Sequence, residues 1–271
     1  MDTDSARSVR TCLRSAAAAN RQALPGMNEW EQLQQDVVAC ERCPRLRHYC
    51  AVVAQRKRAA YREWTYWGRP VPNFGDPAAE LLIVGLAPAA HGANRTGRMF
   101  TGDRSGQVLY RALYQTGFAS QPDASDRHDG LRLHNALITA VVHCAPPQNR
   151  PTPAEIANCR PFLERTVALM PRLRGVVALG ALAFRECWRL FRSRRWLPAQ
   201  RMPRFAHGLL LQSASAPFLL ASYHPSQQNT FTGRLTFEML RAVFQHAAIL
   251  LQKPFETLPQ PGRSDAEGGS Q

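Results

Sequence analysis

The continuous apolar run from Leu81 to Leu86 constrains the fold of this chain more than any other feature. An apolar run without polar alternation predicts a strand that is buried on both faces of a parallel sheet. A Gly- and Ala-rich loop over residues 85–97 follows, and Ser105 is placed to cap an amphipathic helix that ends at Gly117. Because ligands bind at the carboxyl ends of strands in open α/β sheets, we expect the active site in this loop.

Three more apolar segments alternate with helical segments along the chain, which predicts an α/β fold. We expect a three-layer α/β/α sandwich with a central four-stranded, mostly parallel sheet. A helix–turn–helix from Met27 to about Tyr61 precedes it. The other predicted strands are Ala136–His143, Gly175–Gly180 and Pro217–Tyr223, and the later helices begin after Thr152, at Ala181 and near Arg234.

The apolar segments follow one another without a Pro-, Gly- or Ser-rich linker, so we expect one domain over residues 27–253. Residues 1–26 lack an apolar period and predict a flexible extension, and residues 254–271 predict a disordered tail. No apolar run is long enough to span a membrane, and no export signal is recognisable.

The chain is strongly basic, with 34 Lys and Arg against 20 Asp and Glu, a net charge of +14 and a pI near 10.4. Such a charge is compatible with simple solubility, but it favours a polyanionic partner, above all nucleic acid. A basic segment between Arg45 and Arg62 is interleaved with Tyr49 and Tyr61. We therefore expect nucleic acid to be the partner.

Four of the seven cysteines have a spacing that predicts a metal site. Cys40 and Cys43 are separated by two residues, a gap that lets both sulfurs approach one metal. Cys144 follows a predicted strand, and Cys159 lies about two turns into the next helix, so the intervening loop returns it to the same place. Thiolates bind both zinc and iron–sulfur clusters, so the ligands alone leave the two open. The remaining cysteines are Cys12, Cys50 and Cys187, the last of these on a core-facing position.

Two titratable residues follow predicted strands and are candidates for catalysis. Asp103 is the one acid of the first loop, and it can act as a general base or simply serve the dipole of the following helix. His224 follows the last strand, where an imidazole that titrates near neutral pH could act on a substrate anion. Phe100 can stack on a planar ligand or anchor the loop, and His91 and Asn94 are candidate phosphate or base contacts.

With these motifs assembled, the sequence resembles family 5 of the uracil-DNA glycosylase superfamily, the B-type, iron–sulfur-containing branch. The resemblance is carried by GLAPAAHGANRTGRMFTGD at 85–103, by YHPSQQNTFTGRLT at 223–236, and by the four cysteines, whose layout is that of the cluster ligands. It covers roughly residues 29–252 and implies hydrolysis of the N-glycosidic bond of a flipped-out uracil in DNA. The implied cofactor is a structural 4Fe–4S cluster on Cys40, Cys43, Cys144 and Cys159.

The resemblance also implies a role for each matching residue. Asp103 would be the catalytic acid or base, Phe100 would stack on the base, and His224 would face the base carbonyl that gains negative charge. The first motif, Gly85, Leu86, Ala87, Pro88 and Ala89, would lie against the sugar and phosphate. The loop inserted into the minor groove would comprise Pro225 with Ser226, Gln227, Gln228 and Asn229.

Two departures from related families affect the expected chemistry. Ala87 stands where family 1 has its catalytic acid, which excludes a direct copy of that mechanism. Ala140 stands where family 4 has a base-reading asparagine, and Asn135 is a weaker substitute at the other end of the strand. Loss of a bidentate amide predicts a broad base preference that extends to hypoxanthine.

Base excision repair by such an enzyme implies double- and single-stranded DNA as partners, a monomer, and a cytoplasmic, nucleoid-associated location of bacterial type. Two alternatives stay open at this point. One is a non-catalytic nucleic-acid-binding module with a four-cysteine zinc site, and the other is an enzyme that acts on free nucleosides.

Overall fold

The computed structural model describes residues 26–198 and 201–252. Most of the predicted N-terminal extension, the whole C-terminal tail and Cys12 lie outside these residues. The strands are β1 (Phe74–Gly75), β2 (Leu81–Gly85), β3 (Ala136–Ala140), β4 (Gly175–Leu179), β5 (Leu210–Ser213) and β6 (Ala216–Ser222). The helices are α1 (Glu29–Val38), α2 (Pro44–Arg56), α3 (Ala93–Thr96), α4 (Arg104–Gln115), α5 (Pro153–Ala168), α6 (Ala181–Ser193), α7 (Gln227–Phe231) and α8 (Phe237–Gln252).

The strands form one six-stranded sheet in the order β1-β3-β2-β4-β6-β5. The four inner strands are parallel to one another, and they are the four predicted from apolar runs. The edge strands β1 and β5 are antiparallel to their neighbours. The prediction of four strands was therefore two short, because β1 has only two residues and neither edge strand is fully buried.

Helices cover both faces of the sheet, which confirms the three-layer architecture. Alternate residues of β2 belong to two separate cores: Leu82 and Val84 pack with α1, α2, α5 and α6, and Leu81 and Ile83 pack with α4 and α8. Burial on both faces explains why the strand sequences are apolar throughout. Among the described helices, none is long and apolar enough to cross a membrane.

Local capping agrees with the sequence at one helix and corrects it at another. Thr152 and Glu155 form the predicted capping box at the start of α5. The prediction that Ser105 caps α4 is wrong, because Asp103 is the N-cap residue and the helix begins at Arg104. The predicted loop after β6 also contains a short helix, α7, which Ser226 caps.

Candidate active site

The carboxyl ends of β2, β4 and β6 bring the first motif and His224 to one edge of the sheet. A Cβ atom built on Gly180, which follows β4, would lie 3.3 Å from Cβ of His224. The ring of Phe100 lies 5.9 Å from the imidazole of His224, centroid to centroid, with an interplanar angle of 31°. The two motifs that are 120 residues apart in the chain therefore meet at this edge, as expected for a ligand site of an α/β sheet.

Two glycines leave the space that Phe100 occupies. A Cβ atom on Gly85 would come within 2.7 Å of the Phe100 ring, and one on Gly106 would come within 1.7 Å of the Phe100 carbonyl oxygen. Phe100 itself has a φ of 52°, a left-handed conformation that is rare for a residue with a side chain. Such strain persists where the surrounding structure imposes it, and it is frequent at functional sites.

Asp103 lies at the N-terminus of α4. Its Oδ1 accepts a hydrogen bond from the backbone N of Gly106 at 2.9 Å, and its Oδ2 packs so closely on Gly92 that a Cβ there would be 2.0 Å away. Burial raises the pKa of the Asp103 carboxyl above its usual range, although the Gly106 and Ser105 amides and Arg95 lower it. Asp103 thus lies at the helix N-terminus, as predicted for an acid that serves the helix dipole, and its role as a general base stays a prediction.

His224 is a neutral imidazole at physiological pH. Burial lowers its pKa to about 4. The expectation that it titrates near neutral pH is therefore wrong, because its surroundings disfavour the imidazolium. A neutral imidazole can still donate one N–H to a developing anion without carrying charge itself. Asn229 fixes the preceding backbone, since its Nδ2 donates to the His224 carbonyl oxygen at 2.8 Å.

The first motif lines this edge, and its residues differ in exposure. Gly85 and Pro88 are buried, whereas Leu86, Ala87 and Ala89 are partly exposed. Leu86 also lines a cavity of about 250 Å³ next to His224. The cavity walls come from the ends of β4 and β6, the start of α6 and the side chains of Phe205, Asn229 and Arg234.

Two predicted contact residues of the first loop lie in different surroundings. His91 is partly exposed, and its Nδ1 lies 3.0 Å from the Tyr66 hydroxyl. Asn94 is fully buried, and its Nδ2 donates to the carbonyl oxygens of Cys50 and Ala90, so its contact with DNA stays a prediction.

Asn135 does not reach the site. It precedes β3, at the amino end of the strand, where its Oδ1 accepts from the Glu80 backbone N and its Nδ2 donates to the Glu80 carboxylate, both at 2.9 Å. The prediction that Asn135 substitutes for a base-reading asparagine is therefore wrong. Ala140, at the carboxyl end of β3, pairs with Gly85 and lies at the correct edge.

The segment after His224 presents exposed side chains next to the site. Gln227 and Gln228 are exposed on α7, whereas Ser226 caps this helix and Asn229 is bonded to His224. Phe231 at the end of α7 is 65% exposed, and the guanidinium of Arg104 lies 4.3 Å from its ring centroid. Sequence reasoning missed Phe231, although an aromatic residue in a polar loop was a usable signal.

All four predicted metal ligands line one cavity, which lies between α2, α5 and the end of β3. Burial raises the pKa of the Cys159 thiol to about 12 and also raises that of Cys43. Two of the sulfurs accept hydrogen bonds, Cys43 from Asn158 Nδ2 at 3.7 Å and Cys159 from the His143 backbone N at 3.4 Å. N–H donors to ligand sulfurs are typical of thiolate metal centres.

These four thiols are the donors expected for a thiolate metal centre. Within the described ranges, no group of three or more His, Cys, Asp or Glu side chains is placed to hold one metal ion. Cys40, Cys43, Cys144 and Cys159 surround a shared space. Four thiols without a carboxylate suit zinc as well as an iron–sulfur cluster, so the donor set leaves both open.

Comparison with known proteins agrees with this geometry. The family model described as "Uracil DNA glycosylase superfamily" matches residues 72–248, which include both site motifs. The chain belongs to this superfamily. Its similarity is high to proteins named "Type-5 uracil-DNA glycosylase". The one from Mycobacterium leprae is 48% identical over 82% of this chain and 96% of the relative.

Two further type-5 relatives support the same placement. The protein from Mycobacterium tuberculosis is 49% identical over 78% of each chain, and that from Thermus thermophilus is 46% identical over 80% of this chain and 96% of the relative. The glycosylase family resemblance read from the 85–103 and 223–236 motifs is thereby confirmed. The residues that line the site in this superfamily member keep their roles as predictions, because similarity over the whole chain tests none of them singly.

Proposed function

We propose that this protein is a monofunctional uracil-DNA glycosylase of type 5 that removes uracil from DNA by hydrolysis of the N-glycosidic bond. The observation that carries the proposal is the packing of Phe100 between Gly85 and His224, one short turn before the capping residue Asp103. The reaction needs three groups near the carboxyl ends of the strands, and the site has them: an aromatic ring, a neutral imidazole and a carboxylate.

In this mechanism the target nucleotide leaves the duplex and enters the site as an extruded base. Phe100 stacks on the base, and the first motif packs against its sugar and phosphate. His224 donates its N–H to the base carbonyl oxygen, where negative charge grows as the C1′–N bond breaks. Because the imidazole is neutral in the ground state, it stabilises the leaving anion by hydrogen bonding rather than by proton transfer.

Asp103 then acts on the sugar side of the bond. Its carboxylate orients a water molecule and accepts a proton as the water oxygen bonds to C1′. The raised pKa of Asp103 suits this task, since a base whose pKa lies nearer the working pH accepts a proton more readily. The products are the free base and a DNA strand with an abasic site.

The substrate range extends beyond uracil in this proposal. Ala140 offers only a methyl group at the edge of the site, and Asn135 is bonded to Glu80 at the other end of the strand. A pocket without a bidentate amide discriminates weakly between base edges. We therefore include hypoxanthine and other deaminated bases, in double- and single-stranded DNA.

A structural 4Fe–4S cluster on Cys40, Cys43, Cys144 and Cys159 belongs to the same proposal. When bound, it supplies a covalent tie between the start of α2 and the loop and helix that follow β3. The chain's own residues carry out the hydrolysis. Residues 27–253 would act as one catalytic domain and one monomer, in the cytoplasm and at the nucleoid of a bacterium.

The rival hypothesis of a non-catalytic binding module with a zinc site finds no support in the comparisons. The matching family and the type-5 relatives carry names of glycosylases. Metal analysis separates the two directly: iron with sulfide and a brown absorption band support the cluster, and colourless protein with zinc supports the rival.

Single-turnover cleavage of a labelled duplex with one uracil tests the activity. An alkali-sensitive abasic site at the uracil position is the expected product, and a hypoxanthine duplex reports the breadth of the pocket. An undamaged duplex of the same sequence is the control. Tight binding to all three duplexes without any abasic product would overturn the proposal.

A further inference from the structure

We propose that Arg95 is a positioning residue that holds the Asp103 loop in its catalytic conformation and supplies the positive charge that keeps this carboxylate ionised. The proposal rests on the function proposed above, because Asp103 is the general base there. It adds a residue of the 85–103 motif to which the sequence analysis gave no role.

Two aromatic rings hold the guanidinium of Arg95 in a fixed plane. Its Cζ lies 3.9 Å from the ring centroid of Tyr61 and 4.0 Å from that of Trp64. Arg95 is 3% exposed, so this contact is desolvated, where cation–π attraction is strongest. A planar guanidinium fits between two rings, whereas the compact ammonium of lysine does not.

Arg95 also joins the two ends of the loop that carries the active site. Its Nε donates to the His91 carbonyl oxygen at 2.9 Å, and its Nη2 donates to the Gly102 carbonyl oxygen at 2.8 Å. Gly102 has a φ of 82°, and a Cβ atom there would lie 2.5 Å from Nη2. This glycine therefore permits a close approach of the guanidinium to the residue before Asp103.

The position of the charge explains why an arginine is needed. The Asp103 carboxylate packs on Gly92, next to His91, whose carbonyl oxygen accepts from Arg95, and the positive charge of Arg95 lowers the pKa of this carboxyl. Tyr110 of α4 is another titratable group that interacts electrostatically with Asp103, and its phenol stays neutral because burial raises its pKa. Without Arg95, the buried carboxylate would retain only its helix N–H groups as stabilising partners.

One nitrogen of this guanidinium, with its two N–H donors, has no partner among the described residues. This nitrogen is Nη1 of Arg95, and it is buried. A buried arginine that leaves a donor unpaired is costly for folding, and such a cost is typical of functional sites. The cost is consistent with selection of Arg95 for the ionisation of Asp103 rather than for stability.

The test compares Arg95→Met and Arg95→Lys in the wild-type protein and in an Asp103→Asn background. In the wild-type background, we expect Arg95→Met to slow single-turnover excision by about tenfold or more, with the acid limb of the pH profile moved to higher pH. Arg95→Lys keeps the charge and should show a smaller shift of the limb. The affinity for uracil-containing duplex should stay within about twofold, since the residue is buried.

The Asp103→Asn background separates a positioning role from a structural one. If Arg95 acts through the carboxylate, Arg95→Met should add less than about twofold to the loss in that background. Equal fractional losses in both backgrounds, or an unmoved acid limb, would overturn the proposal. Arg241→Met on the exposed surface of α8 is the control for the loss of one positive charge.

Two further outcomes keep the test decisive. If circular dichroism shows that Arg95→Met does not fold, Trp64→Leu takes its place in the test. This variant removes one of the two rings that hold the guanidinium and keeps the charge of Arg95. It should slow excision and leave duplex affinity unchanged. A wild-type rate for Trp64→Leu would contradict the role of the two rings in holding Arg95. Absence of excision by the wild-type protein would instead refute the proposed function, so the two failures are distinguishable.

Discussion

Oδ1 of Asp103 accepts a hydrogen bond from the backbone N of Gly106 at 2.9 Å, so the proposed general base is also the N-cap of α4. One residue thus has two roles that substitution can separate. The cap fixes the carboxylate at the start of the helix, where the backbone N–H groups stabilise negative charge. The other oxygen packs against Gly92.

The pair Asp103→Asn and Asp103→Ala distinguishes these roles. Asparagine caps helices as well as aspartate does, so Asp103→Asn should keep the stability and slow excision by about 10²–10⁴-fold. Asp103→Ala should lose the same activity and in addition about 1 kcal/mol of unfolding free energy. Single-turnover rates and urea unfolding measure the two effects. Near-wild-type excision by Asp103→Asn would show that Asp103 is only a cap.

The pH dependence of excision should report Asp103 and not His224. Burial lowers the pKa of His224 to about 4, so its imidazole is neutral throughout the range from pH 5 to 8. Burial raises the pKa of Asp103, so its carboxylate gains a proton, and activity falls, at a higher pH than for an exposed aspartate. We expect His224→Gln to slow excision but keep the acid limb, and Asp103→Asn to remove the limb.

Titration of His224 by NMR provides the independent check. The imidazole signals of labelled protein should not move between pH 8 and pH 5. A titration of His224 near pH 6.5 that coincides with the acid limb would contradict this assignment. The limb would then belong to the imidazole.

The sequence predicted the parts of the fold that depend on burial and local capping. The four inner strands follow from uninterrupted apolar runs, and the capping box at Thr152 follows from residue type and spacing. The edge strands were missed because two residues of β1 pair with β3 only through tertiary contacts. The lowered pKa of His224 was likewise invisible, since it depends on how the imidazole is buried.

The site residues also fall into two groups, those whose placement follows from the local sequence and those whose placement depends on tertiary contacts. Phe100, Asp103 and His224 lie near the carboxyl ends of the inner strands. Their positions after predicted strands in the sequence already indicated this. The prediction for Asn135 failed because this residue lies at the amino end of β3, whereas the site lies at the carboxyl ends of the strands. Arg95 was missed because its partners, Tyr61 and Trp64, lie about 30 residues away in the chain.

Phe231 should contribute to DNA binding through its exposed ring. At 65% exposure, its ring is covered on one side by the Arg104 guanidinium and leaves the rest of its surface open to a base. Stacking on a base contributes about 1–3 kcal/mol, so Phe231→Ala should weaken duplex affinity by about tenfold, with unchanged thermal stability. Fluorescence anisotropy with a uracil duplex gives the affinity.

Tyr114→Ala is the matched control for this prediction. Tyr114 is also an exposed aromatic residue, at 48%, but it lies near the C-terminal end of α4, remote from the Asp103 end of that helix. Its removal should leave duplex affinity within about twofold of the wild type. Equal effects of the two substitutions would mean that neither ring contacts a base.

Cys144 and Cys50 provide a matched pair of thiols for the cluster. Both are buried, but only Cys144 lines the cavity with Cys40, Cys43 and Cys159. Cys50 instead donates to the Ala145 carbonyl oxygen at 3.6 Å. We therefore expect Cys144→Ser to lower the iron and sulfide content, the visible absorption and the melting temperature together.

Cys50→Ser should keep iron, sulfide and visible absorption, because its sulfur lies outside the cavity. Removal of the cluster with a chelator should reproduce the melting temperature of Cys144→Ser, since both break the tie between α2 and the loop after β3. Loss of iron from Cys50→Ser, with iron retained in Cys144→Ser, would exchange the two residues in the ligand set. Zinc at full occupancy in the wild-type protein would refute the cluster itself.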